Sequence, residues 1–92
     1  MGRRQGRPQL AKHGVSFQEA ATVLGDPSAA TFYDPDHSNE EERFITIGTS
    51  IDGRLLILSH VDRGEHIRII SARKATRKER KLYEEGEFDP AE

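Results

Sequence analysis

The sequence predicts an α+β domain in which helices flank an antiparallel β-meander, and three observations carry that prediction. The β-rich runs "RFITIGTS", "RLLILSHV" and "HIRIISA" follow one another with only short turn sequences, "DG" and "DRGE", between their cores. Two Ser/Thr-x-x-Glu patterns, Ser16 to Glu19 and Thr76 to Glu79, stand in front of helix-forming stretches. A glycine closes each of those stretches, Gly25 the first and Gly86 the second.

In chain order, residues 9–13 are expected as a short first helix with Gly14 as its left-handed terminator. Ser16 starts a second helix, in which Phe17, Ala20, Ala21 and Leu24 recur at helical spacing before Gly25-Asp26-Pro27 ends it. "ATFYD" reads as a first strand, closed by the turn-forming "DPDHSN". Asp52-Gly53 reads as a two-residue hairpin turn, which would set Ile47 opposite Leu58 and Ile45 opposite His60. Leu55 to Leu58 is apolar on both sides, as a central strand would be. The last run returns after Arg63-Gly64; within it Ile67 and Ile69 share one face, while His66, Arg68 and Ile70 take the other. One sheet face is then core, and the opposite face mixes Thr46, Ser59 and Arg68 with Ile57 and Ile70. The closing helix, 76–85, is polar, with Leu82 and Tyr83 as its only apolar anchors. The expected whole is one domain over 1–92, with two N-terminal helices, three to four antiparallel strands and one C-terminal helix. Residues 1–8 and 87–92 read as loose tails.

Composition narrows the class. A chain of 92 residues without cysteine has neither a disulfide framework nor a thiolate metal site. "LLIL" is too short to span a membrane, and no apolar stretch follows the basic "MGRRQGRP" to make a signal peptide, so a cytoplasmic protein is expected. A core this small is marginal and favours a partner. Net charge is −2, yet eight cations lie between Arg63 and Lys81, opposed only by Glu65 and Glu79. Such a cluster fits a polyanion footprint, and from charge alone it fits a solvated helix surface equally well. The acidic "DPDHSNEEE" with His37 matches no calcium-loop spacing, so no metal and no other cofactor is expected.

The runs "LAKHGVSFQEAATVLGDP", "FYDPDHS", "ERFITIGTS" and "RLLILSHVDRGEHIRIISARKATRKERKLYE" resemble the BrnT family of type II toxins, from about Leu10 to Glu85. The resemblance implies a RelE-like fold, cleavage of RNA to arrest growth, and neutralisation by a BrnA antitoxin carrying a ribbon-helix-helix DNA-binding domain. It further implies a two-plus-two complex that meets operator DNA only through the antitoxin. Members usually begin with a strand bearing Phe-x-Trp-Asp; here "MGRRQGRPQ" takes its place and the chain has no Trp. Either the start lies upstream or this copy is truncated, and losing that strand would bare a sheet edge.

Metal-free cleavage of RNA needs a base for the 2′-hydroxyl, an acid for the leaving 5′-oxygen and cations for the phosphorane charge. Arg68 and Arg73 are the first candidates for phosphate, because the guanidinium fork matches it bidentately. Arg73 can instead serve a carboxylate near the helix start. His60 and His66 are candidate acid or base, against the commoner case of a packing or surface histidine. Lys12 and His13 of "KHGVSF", together with Arg63, Lys74, Arg77 and Lys78, are candidate RNA contacts. Tyr83 can stack on a base or pack beside Leu82. Two other function classes stay open: a catalytically weak homologue acting as an antitoxin-binding co-repressor, and a plain nucleic-acid-binding module.

Overall fold

The computed structural model describes residues 14–37 and 41–90, and of His37 the backbone only. The order is α1 (Phe17–Val23), β1 (Ala30–Tyr33), a single 3₁₀ turn (Pro35–His37), β2 (Arg43–Thr49), β3 (Leu55–Arg63), β4 (His66–Lys74) and α2 (Arg77–Glu84). The strands form one antiparallel sheet in the order β1-β2-β3-β4. The α+β class and the four-stranded meander therefore match the sequence reading. Two N-terminal helices do not appear among the described residues: α1 is there, and the helix expected at 9–13 lies outside them, as does the segment standing in place of the family's first strand.

The helices lie on opposite faces of the sheet. On the α1 face, Val15, Ala20 and Val23 pack with Leu56, Leu58, Ile69 and Ala72. Phe17 and Ala21, expected to point inward, are exposed, and the inward stripe is Ala20, Val23 and the partly buried Leu24. Close approach of helix to sheet depends on Gly48, where a Cβ would lie 2.7 Å from Ala29 Cβ and 3.0 Å from Val23 Cγ1. On the α2 face, Ile47, Leu55 and Ile57 form a smaller cluster joined by Ala30, Phe32, Ile45, Ala75, Tyr83 and Phe88.

A polar net ties α1 to the β2–β3 loop. Ser16 caps the helix by accepting from the Glu19 amide at 3.0 Å. The Glu19 carboxylate does not complete a capping box; it accepts from Ser50 Oγ at 2.7 Å and from Arg54, whose guanidinium also reaches the Gly14 carbonyl at 3.2 Å. Bonds to Arg54 first, then to Ser50, hold the buried Glu19 carboxyl below its usual pKa against the opposing pull of burial. The Ile51 amide donates to Thr22 Oγ1 at 2.9 Å, and the Thr49 amide to Asp26 Oδ2 at 2.8 Å.

That net accompanies a turn different from the expected one. Ser50 and Arg54 still bond across the hairpin at 2.8 Å, so the loop is the three residues Ile51 to Gly53, with Gly53 left-handed at φ 82°. The register is one residue off the expected one: Thr46 faces Leu58, Ile47 faces Ile57, and His60 faces Phe44. Thr46 consequently joins Leu58 on the α1 face, and Ile45 and Ile47 move to the α2 face. The β3–β4 turn is tight, with Arg63 paired to His66, and a bulge between Ser59 and His60 leaves Ile70 as the extra residue of β4.

Candidate nucleic-acid interface

Three rows of side chains cross β2, β3 and β4 on the α2 face. Ile47, Ile57 and Arg73 form the row beside the start of α2; Ile45, Ser59 and Ser71 form the middle row. Arg43, Val61 and Arg68 form the outermost row. Two arginines thus flank a small apolar residue, with two hydroxyls in the next row. A cleft of about 500 Å³ opens over the first two rows and Arg43, lined by Asp34, Ile45, Ser59, Ser71 and Arg73 among others, and stops short of Val61 and Arg68. A second, of about 280 Å³, runs between the sheet and α2 past Arg73, Lys78, Leu82 and Phe88.

Arg73 stands where the clefts meet, and its fork is engaged. Nη1 and Nη2 donate to Glu79 Oε1 and Oε2 at 2.8 and 2.9 Å. Glu79 Oε1 also accepts from the Thr76 amide at 2.8 Å, and Thr76 Oγ1 accepts from the Glu79 amide at 3.1 Å, which completes the capping box of α2. The Arg73 guanidinium, helped by the Thr76 cap and against the opposing pull of burial, lowers the Glu79 carboxyl from 4.5 to about 2, so at neutral pH it is a fixed anion and a poor proton acceptor. The same pair raises the Arg73 pKa.

Arg68 is exposed, on the same face as Arg73 and two residues from the exposed His66. His60 is elsewhere. It is 2% exposed on the α1 face, stacked on Phe44 with ring centroids 6.0 Å apart. Its Nε2 lies 2.7 Å from Thr46 Oγ1 and its Nδ1 3.0 Å from Asp62 Oδ1, while Thr46 Oγ1 is 2.8 Å from Thr31 Oγ1. This chain of bonds ties three strands together. The four catalytic candidates are therefore not brought to one place: Arg68, Arg73 and His66 share a face, and the sheet separates them from His60.

The other candidates divide similarly. Arg63 is paired with Glu41. Lys74, Arg77 and Lys78 are exposed at the end of β4 and on α2. Tyr83 is partly buried in the smaller cluster and donates its hydroxyl to the Ser28 carbonyl at 2.7 Å, so its ring packs. Lys12 and His13 lie outside the described residues. Among the described residues no cluster of His, Asp or Glu could hold a metal ion, and no helix is long and apolar enough to cross a membrane. Arg43 and Ser71 were not anticipated, and Ser59 was expected on the face of Arg68 but not as a site residue. Alternation along β2 carries Arg43 onto the face of Ile45 and Ile47, but only the correct register sets it in line with Arg68.

No curated protein matches the chain. A family model does match, over residues 4–79, that of the ribonuclease toxin BrnT of type II toxin-antitoxin systems. With most of its length covered, the chain belongs to the BrnT family of ribonuclease toxins, whose type II systems pair each toxin with an antitoxin.

Proposed function

We propose that this chain is a RelE-like endoribonuclease that cuts RNA through attack of the 2′-hydroxyl, without a metal, and takes the substrate backbone across the α2 face. The row Arg43–Val61–Arg68 supports this most directly, because it puts an exposed Arg68 and a half-buried Arg43 on one face beside the hydroxyls of Ser59 and Ser71. Arg68 is the phosphate ligand that stabilises developing charge. Arg73, two rows away, spends its fork on Glu79 and orders the start of α2 beside that surface. His66 is the acid or base on that face, and His60 secures the sheet from the other side. Arg63, Lys74, Arg77 and Lys78 supply the electrostatic approach path, and Lys12 and His13 are further phosphate contacts. The partner is a BrnA-like ribbon-helix-helix antitoxin that covers the 63–81 region in a two-plus-two complex and carries the toxin to operator DNA.

The test is inducible expression in the bacterial cytoplasm while growth and total RNA are followed, with wild type compared to Arg68→Ala. Loss of a charge-stabilising donor should lower cleavage by about a hundredfold or more. Growth arrest should disappear while the thermal midpoint stays or rises, since an exposed cation is removed. Purified enzyme should keep cutting in EDTA and leave 2′,3′-cyclic phosphate ends. Full activity in Arg68→Ala, or its simple unfolding, would show that the α2 face does other work.

A further inference from the structure

Phe88, Asp89 and Pro90 of the chain's own acidic tail lie on this face. From Glu84 to Glu92 there are five acids and no cation. The sequence reads residues 87–92 as a loose tail; the structure describes this stretch as far as Pro90. Gly86, left-handed at φ 73°, reverses the chain at the end of α2. The Gly86 amide donates to the Tyr83 carbonyl at 3.1 Å and the Glu87 amide to the Leu82 carbonyl at 2.7 Å, a Schellman closure. Phe88 then enters the smaller apolar cluster and meets Phe32 edge-to-face at 5.7 Å. Asp89 and Pro90 follow in the cleft with Arg73 and Lys78, and both also line the neighbouring cleft beside Asp34 and Ile45.

We propose that Glu87–Pro90 is a strap that competes with RNA for the α2 face, with Phe88 as its anchor and the carboxylates of Glu87 and Asp89 standing in for substrate phosphates. The inference rests on the reading of that face as the RNA surface. A ring in an apolar pocket holds the segment, and the acids beside it lower the positive potential that a polyanion would seek. The anchor is single and the segment short, so the strap opens without unfolding the sheet. An RNA strand gains access by displacing it, and its apparent affinity is reduced by the fraction of molecules in which the strap is closed.

The experiment uses the full chain and a labelled 2′-O-methyl RNA oligonucleotide, which cannot be cut through the 2′ position. Phe88→Ser releases the anchor; Glu87→Gln with Asp89→Asn keeps the anchor and removes the charge; Arg68→Ala reports on the surface itself. The strap predicts that Phe88→Ser binds about three- to tenfold tighter and the neutralised tail about twofold tighter, as expected if the closed form holds most molecules. Arg68→Ala should bind more weakly. Unchanged or weaker binding by the neutralised tail, with a wild-type thermal midpoint and a weakened Arg68→Ala, overturns the strap and leaves the RNA surface standing. If Arg68→Ala also binds as wild type, the surface reading has failed and the strap falls with it. Should Phe88→Ser not fold, the neutralised tail alone decides.

Discussion

The two faces of the sheet are built by different rules. On the α1 face a short helix buries Ala20 and Val23 against Leu56 and Leu58, and its polar groups are consumed by Ser50, Arg54, Thr49 and Ile51. On the α2 face the helix buries no residue at all. It is held at its start by the Arg73–Glu79 fork, near its end by the Tyr83 hydroxyl on Ser28, and beyond its end by Phe88. Both faces bury a cluster, but only the α2 face sets an exposed arginine, Arg68, beside its own.

The largest effect that would break this comparison is a cavity. Leu58→Ala, on the α1 face, should cost about 2–5 kcal/mol, whereas Leu82→Ala, only partly buried on α2, should cost about 1 kcal/mol or less. Chemical denaturation of both variants measures the contrast. Equal costs would mean that α2 is as much a part of the core as α1.

Next in size is the acid response of the α2 fork, which substitution separates from that of Glu19 on the other face. The folded pKa of Glu79 is depressed to about 2 from 4.5, so its pairing contributes fully above pH ~4.5 and is lost as pH falls from there towards 2. The full shift would correspond to about 3 kcal/mol, and the half-open setting of Arg73 reduces it to about 1–2 kcal/mol. The wild type should therefore lose stability across that window. Glu79→Gln should be less stable at pH 7 and lose less on acidification, as followed by thermal midpoints. An identical acid profile for the two would leave the fork without energetic weight.

The smallest expected effect sharpens the functional side. Arg77→Glu with Lys78→Glu should leave the thermal midpoint within a degree or two, yet weaken RNA binding and flatten its salt dependence, because fewer counterions are released. A salt slope equal to wild type would return these two residues to the status of solvated helix surface.

Much of the fold is legible in the chain because its signals are local. Capping residues mark the helix starts and the left-handed Gly86 marks the end of α2; β-branched runs mark the strands, and alternation alone puts Arg68 and His66 together on one face. The register of β2 on β3 is not local. Asp-Gly suits a two-residue turn and also the last two positions of a three-residue one, and the wider loop here is tied to α1 through Thr22, Asp26 and Glu19. One residue of slip hides the alignment of Arg43 with Arg68 and places Thr46 on the wrong side. Glu19 shows the same limit: its spacing from Ser16 announces a capping box, and a distant arginine takes the carboxylate instead. His60 shows it again, since a titratable ring in a strand looks catalytic until its stacking on Phe44 and its bond to Thr46 are seen.

The bulge at Ile70 acts on β4 as an inserted letter acts on a reading frame. Between Ala72 and Ile69 the chain spends one residue more than strict alternation allows, and so both side chains reach the α1 cluster. Were the strand regular through Ile70, the frame of everything from there to the β3–β4 turn would invert. Ile69 would turn outward and Arg68 would be driven under α1. Removing Ile70, by contrast, restores two-residue alternation with Ile69 and Arg68 still in their present frame. In this strand, therefore, a one-residue deletion is the milder lesion, and straightening the bulge without deletion is the severe one.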